Sequence, residues 1–333
     1  MNPVRLGRSG VFVSALGFGS AAIGNLYRAV DEETAFDAVR AAWDAGVRYF
    51  DTAPHYGLGL AERRLGRVLA ELGRDEAVVS TKVGRLLVPT PNPRGRRDDA
   101  GFDVPADHER HWDFSADGVR RSLESSLRRL GTDHVDVVLL HDPDDHWNQA
   151  VEEAYPALHE LRHQGVIGAI GVGMNQVRML ERFVVETDVD AVMLAGRYTL
   201  LDQSALEGML PACRRRDVSV LAAGVFNGGL LAVDDPPADA MYDYATAPEE
   251  IRARARRIAE VAQRYRVSLP QAALAFAAGH PAVAGVVVGA RSGEEITRDA
   301  ALLARGVPGE LWRELRERGL LRADAPLPGS AAQ

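Results

Sequence analysis

The sequence predicts an α/β protein of the (β/α)8 TIM-barrel class, on three observations. Short β-branched runs alternate with longer segments of helical period, the pattern of parallel strands joined by crossover helices. Eight such units can be counted in 333 residues, a length that accommodates one barrel domain with loop insertions. The residues best suited to proton chemistry fall where those strands end, the face on which barrels carry their sites.

Strands are expected at Ala15 to Gly17, Arg48 to Phe50, Ala77 to Thr81, Val135 to Leu140, Ile167 to Val172, Ala191 to Leu194, Ser219 to Ala222 and Val283 to Val287. Helices are expected near Glu32 to Ala45, Glu62 to Glu71, Ala116 to Leu130, Ala150 to Gln164, Val177 to Glu186, Ser204 to Arg216, Leu269 to Ala278 and Glu294 to Leu303. Ser115 and Ser268 read as N-caps, and Gly46, Gly131 and Gly165 stand where helices should end. Leu6 to Val13, turning at Ser9-Gly10, reads as an N-terminal β-hairpin able to plug the barrel bottom. The whole of 1–333 is taken as a single barrel domain with a flexible tail over 322–333. Two stretches, Leu86 to Phe114 and Leu231 to Pro248, are long loops on the C-terminal face. Loops of that length in a compact domain are functional lids or disorder, and lids fit their position after strand ends.

A chain with 46% hydrophobic and 26% charged residues is globular. Its net charge of −8 opposes nucleic-acid binding, so the arginine clusters at 94–97, 214–216 and 252–257 are read as solvated faces. No stretch approaches the roughly 18 apolar residues of a membrane span, and the first 14 residues lack the apolar block of a signal peptide. The single cysteine, Cys213, cannot form an internal disulfide, which suits a reducing cytoplasm. Cytoplasmic localisation, with no nucleic-acid or membrane partner, is therefore expected.

Of 39 basic residues, Lys82 is the one lysine. Where any positive charge serves, this chain uses arginine; a surviving lysine marks a position that needs a compact ammonium rather than a fork. Lys82 ends the third predicted strand. Asp51 ends the second and is followed by Thr52-Ala53-Pro54-His55-Tyr56-Gly57, and His141 ends the fourth. A carboxylate, a phenol, an amine and an imidazole at one barrel mouth suit proton transfer at an oxygen that alternates between carbonyl and hydroxyl. The ammonium should lower the phenol's pKa, Asp51 should keep Lys82 charged, and His141 should orient the substrate oxygen. No side chain accepts a hydride, so a cofactor is required.

Three other classes compete. Gly17-Phe18-Gly19-Ser20-Ala21-Ala22 fits a relaxed dinucleotide fingerprint, but the next helix begins only near Glu32. A metal-dependent barrel hydrolase could use Asp51, His55, His141 and Asp142 as ligands, leaving Lys82 and Tyr56 without work, and no metal site is expected. A regulatory subunit that senses cofactor without turnover would not need four proton-handling groups.

From about residue 4 to 320 the sequence resembles the aldo-keto reductase superfamily. The resemblance is carried by Gly46-Val47-Arg48-Tyr49-Phe50-Asp51-Thr52-Ala53 with Tyr56, by Ser80-Thr81-Lys82-Val83, by Val135 to His141 and by Ile170-Gly171-Val172-Gly173. It implies a catalytic tetrad of Asp51, Tyr56, Lys82 and His141 and a nicotinamide cofactor. Within the superfamily the chain is most similar to the NAD-linked aldose 1-dehydrogenases acting on L-fucose and other D-threo sugars. That similarity rests on His111-Trp112-Asp113-Phe114, His141-Asp142-Pro143-Asp144, Ala195 to Leu201 and Tyr242-Asp243-Tyr244. Pyridoxal 4-dehydrogenases look alike at the same places, and a general aldehyde or ketone reductase is a further alternative.

The resemblance further implies a small-molecule substrate bound by Tyr56 and His141, with Trp112 and Tyr244 as candidate walls. Gly19, Ser20 and Asp51 would lie beside the nicotinamide. Asn175 is the candidate for its carboxamide, and Phe226 or Asn227 would replace the family's usual aromatic shelf. Gly228-Gly229-Leu230-Leu231 resembles a pyrophosphate loop, with Gly229 and Leu231 as contacts; outside the resemblance it could equally be a plain turn. The segment after the last strand, with Gly289, Arg291, Glu295 and Asp299, resembles the adenosine site. Relatives that use NADP place basic residues where Gly289 and Glu295 stand here, so NAD is the expected cofactor and NADP the alternative. Arg291 or Arg298 turning inward would reverse that preference.

Overall fold

The computed structural model describes residues 3–243 and 245–329. Eight parallel strands close into a barrel: β1 (Leu16–Gly19), β2 (Tyr49–Asp51), β3 (Val78–Val83), β4 (Val137–His141), β5 (Ala169–Met174), β6 (Ala191–Ala195), β7 (Ser219–Ala223) and β8 (Val283–Gly289). They follow chain order around the barrel, with β8 pairing back onto β1. This is the (β/α)8 fold that the alternation predicts. Each expected strand is present; all eight end one or two residues later than expected, and five also start later.

Period-two alternation divides each strand between two cores. Tyr49, Val137, Leu139, Ala169, Met193, Leu221 and Val287 fill the barrel interior. Phe50, Val79, Val138, Leu140, Val172 and Val192 face out into the larger core beneath the helices. The interior is tight enough to demand glycine at 171, where a Cβ would stand 2.5 Å from Leu139 and 2.6 Å from the Ala191 carbonyl. The N-terminal hairpin pairs Pro3–Arg5 with Phe12–Ser14, and its Leu6 and Val13 are fully buried in the interior cluster. It closes the barrel bottom, as its sequence suggests.

The outer layer contains the expected helices α1 (Glu32–Asp44), α2 (Leu60–Leu72), α3 (Ala116–Leu130), α4 (Tyr155–His163), α5 (Val177–Glu186) and α6 (Met209–Arg216). Ser115 caps α3 by accepting from Gly118 N at 2.9 Å, and Gly131 ends it at φ 66°. α4 is shorter than its periodicity, because Ala150–Ala154 forms a π-turn ahead of it; α6 is shortened by Gly208. α7 (Glu249–Arg264) and α10 (Gly309–Glu317) are not anticipated from the sequence. The arginine run of α7 is only partly solvated: Arg257 is exposed, but Arg252, Arg254 and Arg256 are half-buried, Arg254 donating to the Leu320 carbonyl at 2.8 Å and the other two pairing with Glu249, while Ala255, Ile258, Ala259 and Val261 on its other side are buried. α8 (Leu269–Ala278) and α9 (Gly293–Leu303) complete the ring.

Neither long loop is structureless. The first carries an antiparallel ribbon, Arg85–Pro89 against His108–Trp112, and its Phe102 and Val104 pack with Leu58 beside Tyr56. The second holds a short ribbon of Met241–Tyr242 and Ala245–Thr246, tied back by Arg197 to Asp243 at 2.8 Å. The tail expected to be flexible is held through 329: Arg322 N donates to Gln203 at 3.2 Å, Ala325 is 1% exposed, and Pro328 lies against Gly279. Apolar Ala325 and Leu327 give that segment a place on the core. Residues 330–333 and Tyr244 lie outside the described residues. Among the described residues no helix is long and apolar enough to cross a membrane.

Candidate active site

Asp51, Lys82 and His141 follow from the alternation that builds the interior. Tyr49 and Asp51 share a face of β2, Ser80 and Lys82 a face of β3, and Val137, Leu139 and His141 a face of β4. Each is the last or nearly last inward residue of its strand, so the three meet at the C-terminal mouth. Asp51 pairs in register with Ser80, Lys82 with Leu139, and His141 with Gly173. Tyr56 arrives on the β2–α2 turn, where its amide bonds the Ala53 carbonyl at 3.1 Å.

The Lys82 ammonium is 2% exposed and uses its three protons on Asp51 Oδ2 at 2.6 Å, Thr52 O at 3.0 Å and Tyr56 Oη at 3.0 Å. The second oxygen of Asp51 accepts from Ser80 Oγ at 2.8 Å, and Ser80 in turn meets the Tyr49 hydroxyl at 2.9 Å. Burial works to lower the Lys82 pKa, but Asp51 and Tyr56 outweigh it and the net direction is up, so the ammonium stays charged. The expectation for the phenol does not hold in the protein alone. Burial exceeds the pull of Lys82, and Tyr56 rises to about 12.

His141 stands edge-on to the Tyr56 ring, centroids 6.0 Å apart. Burial first, then the charges of Arg85 and Lys82, hold its pKa well below the ordinary imidazole value. It is a neutral hydrogen-bonding group at physiological pH. His55, edge-on to His141 at 5.6 Å, is pushed down to about 2 by the same causes. The His55 carbonyl accepts from Arg110 at 3.0 Å, and Arg110 is itself gripped by Asp98 at 2.5 Å. The first long segment thus anchors the turn that carries Tyr56. Sequence reading did not single out Ser80, Asp98, Arg85 or Arg110 for the site. Ser80 lay two residues before Lys82 on the same strand face and could have been found by period two; Asp98 and Arg110 depend on the fold of the ribbon.

The other candidates distribute around the same mouth. Ser20, with its amide on Asp51 O at 2.9 Å, and Thr52 are fully buried, and among the described residues their hydroxyls lack partners, as does Oδ1 of Asn227. Unpartnered buried polar atoms carry a cost, and these three sit at the ends of β1, β2 and β7, where a polar cofactor head would satisfy them. Asn227 Nδ2 bonds Gly196 O at 3.3 Å, Phe226 is half-buried beside it, and Asn175, just past β5, gives its carbonyl to Arg197 at 3.3 Å. Gly228 and Gly229 take φ of 71° and 98°, and a Cβ on Gly229 would meet nothing within 4 Å. Leu231 beneath them is fully buried. This open backbone turn fits a phosphate-bearing cofactor.

At the far end Gly289 lies beside Gly19 in the β8–β1 register. Glu295 accepts from the Arg291 amide at 2.7 Å, and Arg291 extends to the Leu26 carbonyl at 3.4 Å. Asp299 is 2% exposed, paired with Arg298 at 3.1 Å, and burial raises it to about 6. Trp112 is 46% exposed, and the Arg85 guanidinium covers its face at 4.3 Å. It therefore touches the mouth through Arg85. Tyr244 lies outside the described residues.

The geometry bears on the rival classes. Gly17 to Gly19 belong to a closed barrel and lead into a 3-10 turn at Ala22–Gly24, not into a dinucleotide-binding helix. Asp51 is ion-paired to Lys82 and Asp142 to Arg85, so neither carboxylate is presented as a free metal ligand.

Comparison with known proteins bears on the family. The family model described as "Aldo/keto reductase family" matches residues 15–317. A D-threo-aldose 1-dehydrogenase of a Pseudomonas species is 46% identical, covering 94% of this chain and 96% of that protein. A pyridoxal 4-dehydrogenase of Microbacterium luteolum is 38% identical, covering 95% and 97%. Among solved structures, an aldo-keto reductase from Bacillus halodurans in its holo form superposes with a TM-score of 0.76 at 26% identity, covering 98% of each chain. With its closed eight-stranded barrel and a family match spanning most of its length, the chain belongs to the aldo/keto reductase family and is an oxidoreductase.

Proposed function

We propose that this enzyme oxidises the C1 carbinol of a D-threo-type aldose to the lactone, with NAD preferred over NADP. The observation that carries the reading is the buried contact of Lys82 Nζ with Tyr56 Oη at 3.0 Å, anchored on Asp51. Tyr56 takes the proton of the substrate hydroxyl as C1 becomes a carbonyl, and returns it in the reverse direction. Lys82 stabilises the phenolate form of Tyr56 that accepts this proton, and Asp51 in turn keeps the Lys82 ammonium charged. Neutral His141 holds the reacting oxygen by a hydrogen bond without competing for its proton. When bound, the nicotinamide supplies the hydride acceptor that no side chain can provide.

Ser20, Thr52 and Asn227 supply polar atoms at the nicotinamide end, Asn175 a carboxamide partner, and Gly229 an open amide for the pyrophosphate. Glu295 stands at the position where, by the resemblance, NADP-using relatives carry an arginine; its carboxylate accepts from the Arg291 amide, and the Arg291 side chain is turned to Leu26. A carboxylate there and an arginine turned away both support NAD. The 46% identity to a D-threo-aldose 1-dehydrogenase supports the aldose, and the 38% identity to a pyridoxal 4-dehydrogenase keeps pyridoxal as the second substrate reading. A buried lone Cys213 is consistent with a cytoplasmic setting.

A panel of free aldoses, pyridoxal and aliphatic aldehydes, followed at the NADH absorbance with each cofactor, tests the reading. Aldose oxidation with the higher kcat/KM supports it. Turnover of pyridoxal alone replaces the substrate, and no turnover of any member removes the catalytic reading in favour of a cofactor sensor.

A further inference from the structure

One ion pair at the barrel mouth has no part in proton transfer. Asp142 follows His141 and adopts φ 44°, a left-handed backbone unusual for a side-chain-bearing residue. Its amide is pinned to the Gly173 carbonyl at 3.0 Å. That twist carries the side chain back over the mouth. Asp142 Oδ2 lies 3.6 Å from His141 Nε2 and is paired with Arg85, whose guanidinium rests on the Trp112 ring at 4.3 Å. Among the described residues Oδ1 has no hydrogen-bond partner, and the side chain keeps 35% of its surface exposed while Arg85 keeps 13%. An ion pair of this kind, fixed from behind by an aromatic ring and open on one oxygen beside the substrate-orienting histidine, offers an acceptor and donors to a polyhydroxylated molecule.

We propose that Asp142, held by Arg85 against Trp112, is a specificity-determining residue that accepts a hydrogen bond from a non-reacting hydroxyl of the aldose. The inference rests on the aldose reading above and deepens it. A hydroxyl lying about 2.8 Å from an acceptor is within ordinary reach, and a substrate oxygen held by His141 brings the neighbouring carbons of the same molecule to Asp142. A site built to bond a substrate hydroxyl discriminates against analogues that lack it far more strongly than an apolar pocket does. Trp112 then shapes specificity by positioning Arg85, in place of direct stacking on the sugar.

The test is Asp142→Asn, chosen because asparagine tolerates the left-handed backbone, with Arg85→Gln as a second variant should the first fail to fold. Steady-state kinetics are measured on an oxidised aldose, on its monodeoxy analogues and, in reverse, on a hydroxyl-free aliphatic aldehyde. The expected result is a rise in aldose KM of roughly 10-fold or more, with kcat/KM for the simple aldehyde within about three-fold of the unmodified enzyme. The penalty should vanish on one monodeoxy aldose, the one lacking the contacted hydroxyl. Equal losses on aldose and simple aldehyde would mean that Asp142 merely positions His141 and would overturn the proposal, as would unchanged aldose kinetics. Failure of the unmodified enzyme to oxidise any aldose is read separately; it removes the aldose reading and this inference with it.

Discussion

Replacing Lys82 by arginine keeps a positive charge against Asp51 and removes the geometry that gives it meaning. One nitrogen, 2% exposed, serves Asp51, Thr52 and Tyr56 at 2.6, 3.0 and 3.0 Å. A guanidinium is longer and spreads its donors across a plane, and Lys82 is 2% exposed, so the larger group must be accommodated among packed neighbours. Forcing the larger group in costs about 1–3 kcal/mol of stability. Losing the aligned ammonium from the phenol removes a proton-transfer contribution of roughly 10²–10⁴-fold, about 3–5 kcal/mol of transition-state stabilisation. The assay is kcat at saturating cofactor, with cofactor affinity by fluorescence titration and a thermal melt as controls. Expected are a kcat reduced roughly 100-fold or more and a cofactor Kd changed by no more than about three-fold. A kcat within about three-fold of the unmodified enzyme would refute the reasoning, since charge alone would then suffice.

Tyr56→Phe should reduce turnover by roughly 100-fold or more while cofactor still binds, checked by the same pair of measurements. Because Tyr56 sits at about 12, oxidation, which needs the phenolate, should accelerate as pH rises from 7 to 10; a flat profile in that direction argues against Tyr56 as the base. His280, 4% exposed and lowered from an ordinary 6.5 to about 4, contributes stability that is intact above pH 6.5 and lost as pH falls toward 4, because the unfolded chain binds a proton that the folded one refuses. Between pH 6.5 and 5 the unmodified protein should lose about 1.5 kcal/mol more than His280→Asn, read from urea unfolding at each pH. Glu295→Arg should move the kcat/KM ratio toward NADP; a native preference for NADP would contradict the reading of Glu295.

The alternation of strands and helices, and the strand ends that bear Asp51, Lys82 and His141, could be read from the chain because period-two and period-3.6 patterns are local properties. One lysine among 39 basic residues pointed to the same place. The helices α7 and α10 escaped because eight β/α units were already accounted for without them, and their buried faces are defined only by the barrel they cover. Two questions were settled only by the assembled structure. The balance of burial against the Lys82 charge decides the direction of the Tyr56 shift, and desolvation depends on everything packed around the phenol. The Arg85–Asp142 pair and the Asp98–Arg110 clamp join residues 57 and 12 positions apart, brought together by the ribbon that folds back over the mouth. The sequence by itself determined which side chains face inward, since that follows from backbone geometry. Their charges and partners were decided by tertiary packing, because electrostatic fields and hydrogen bonds act through space and not along the chain.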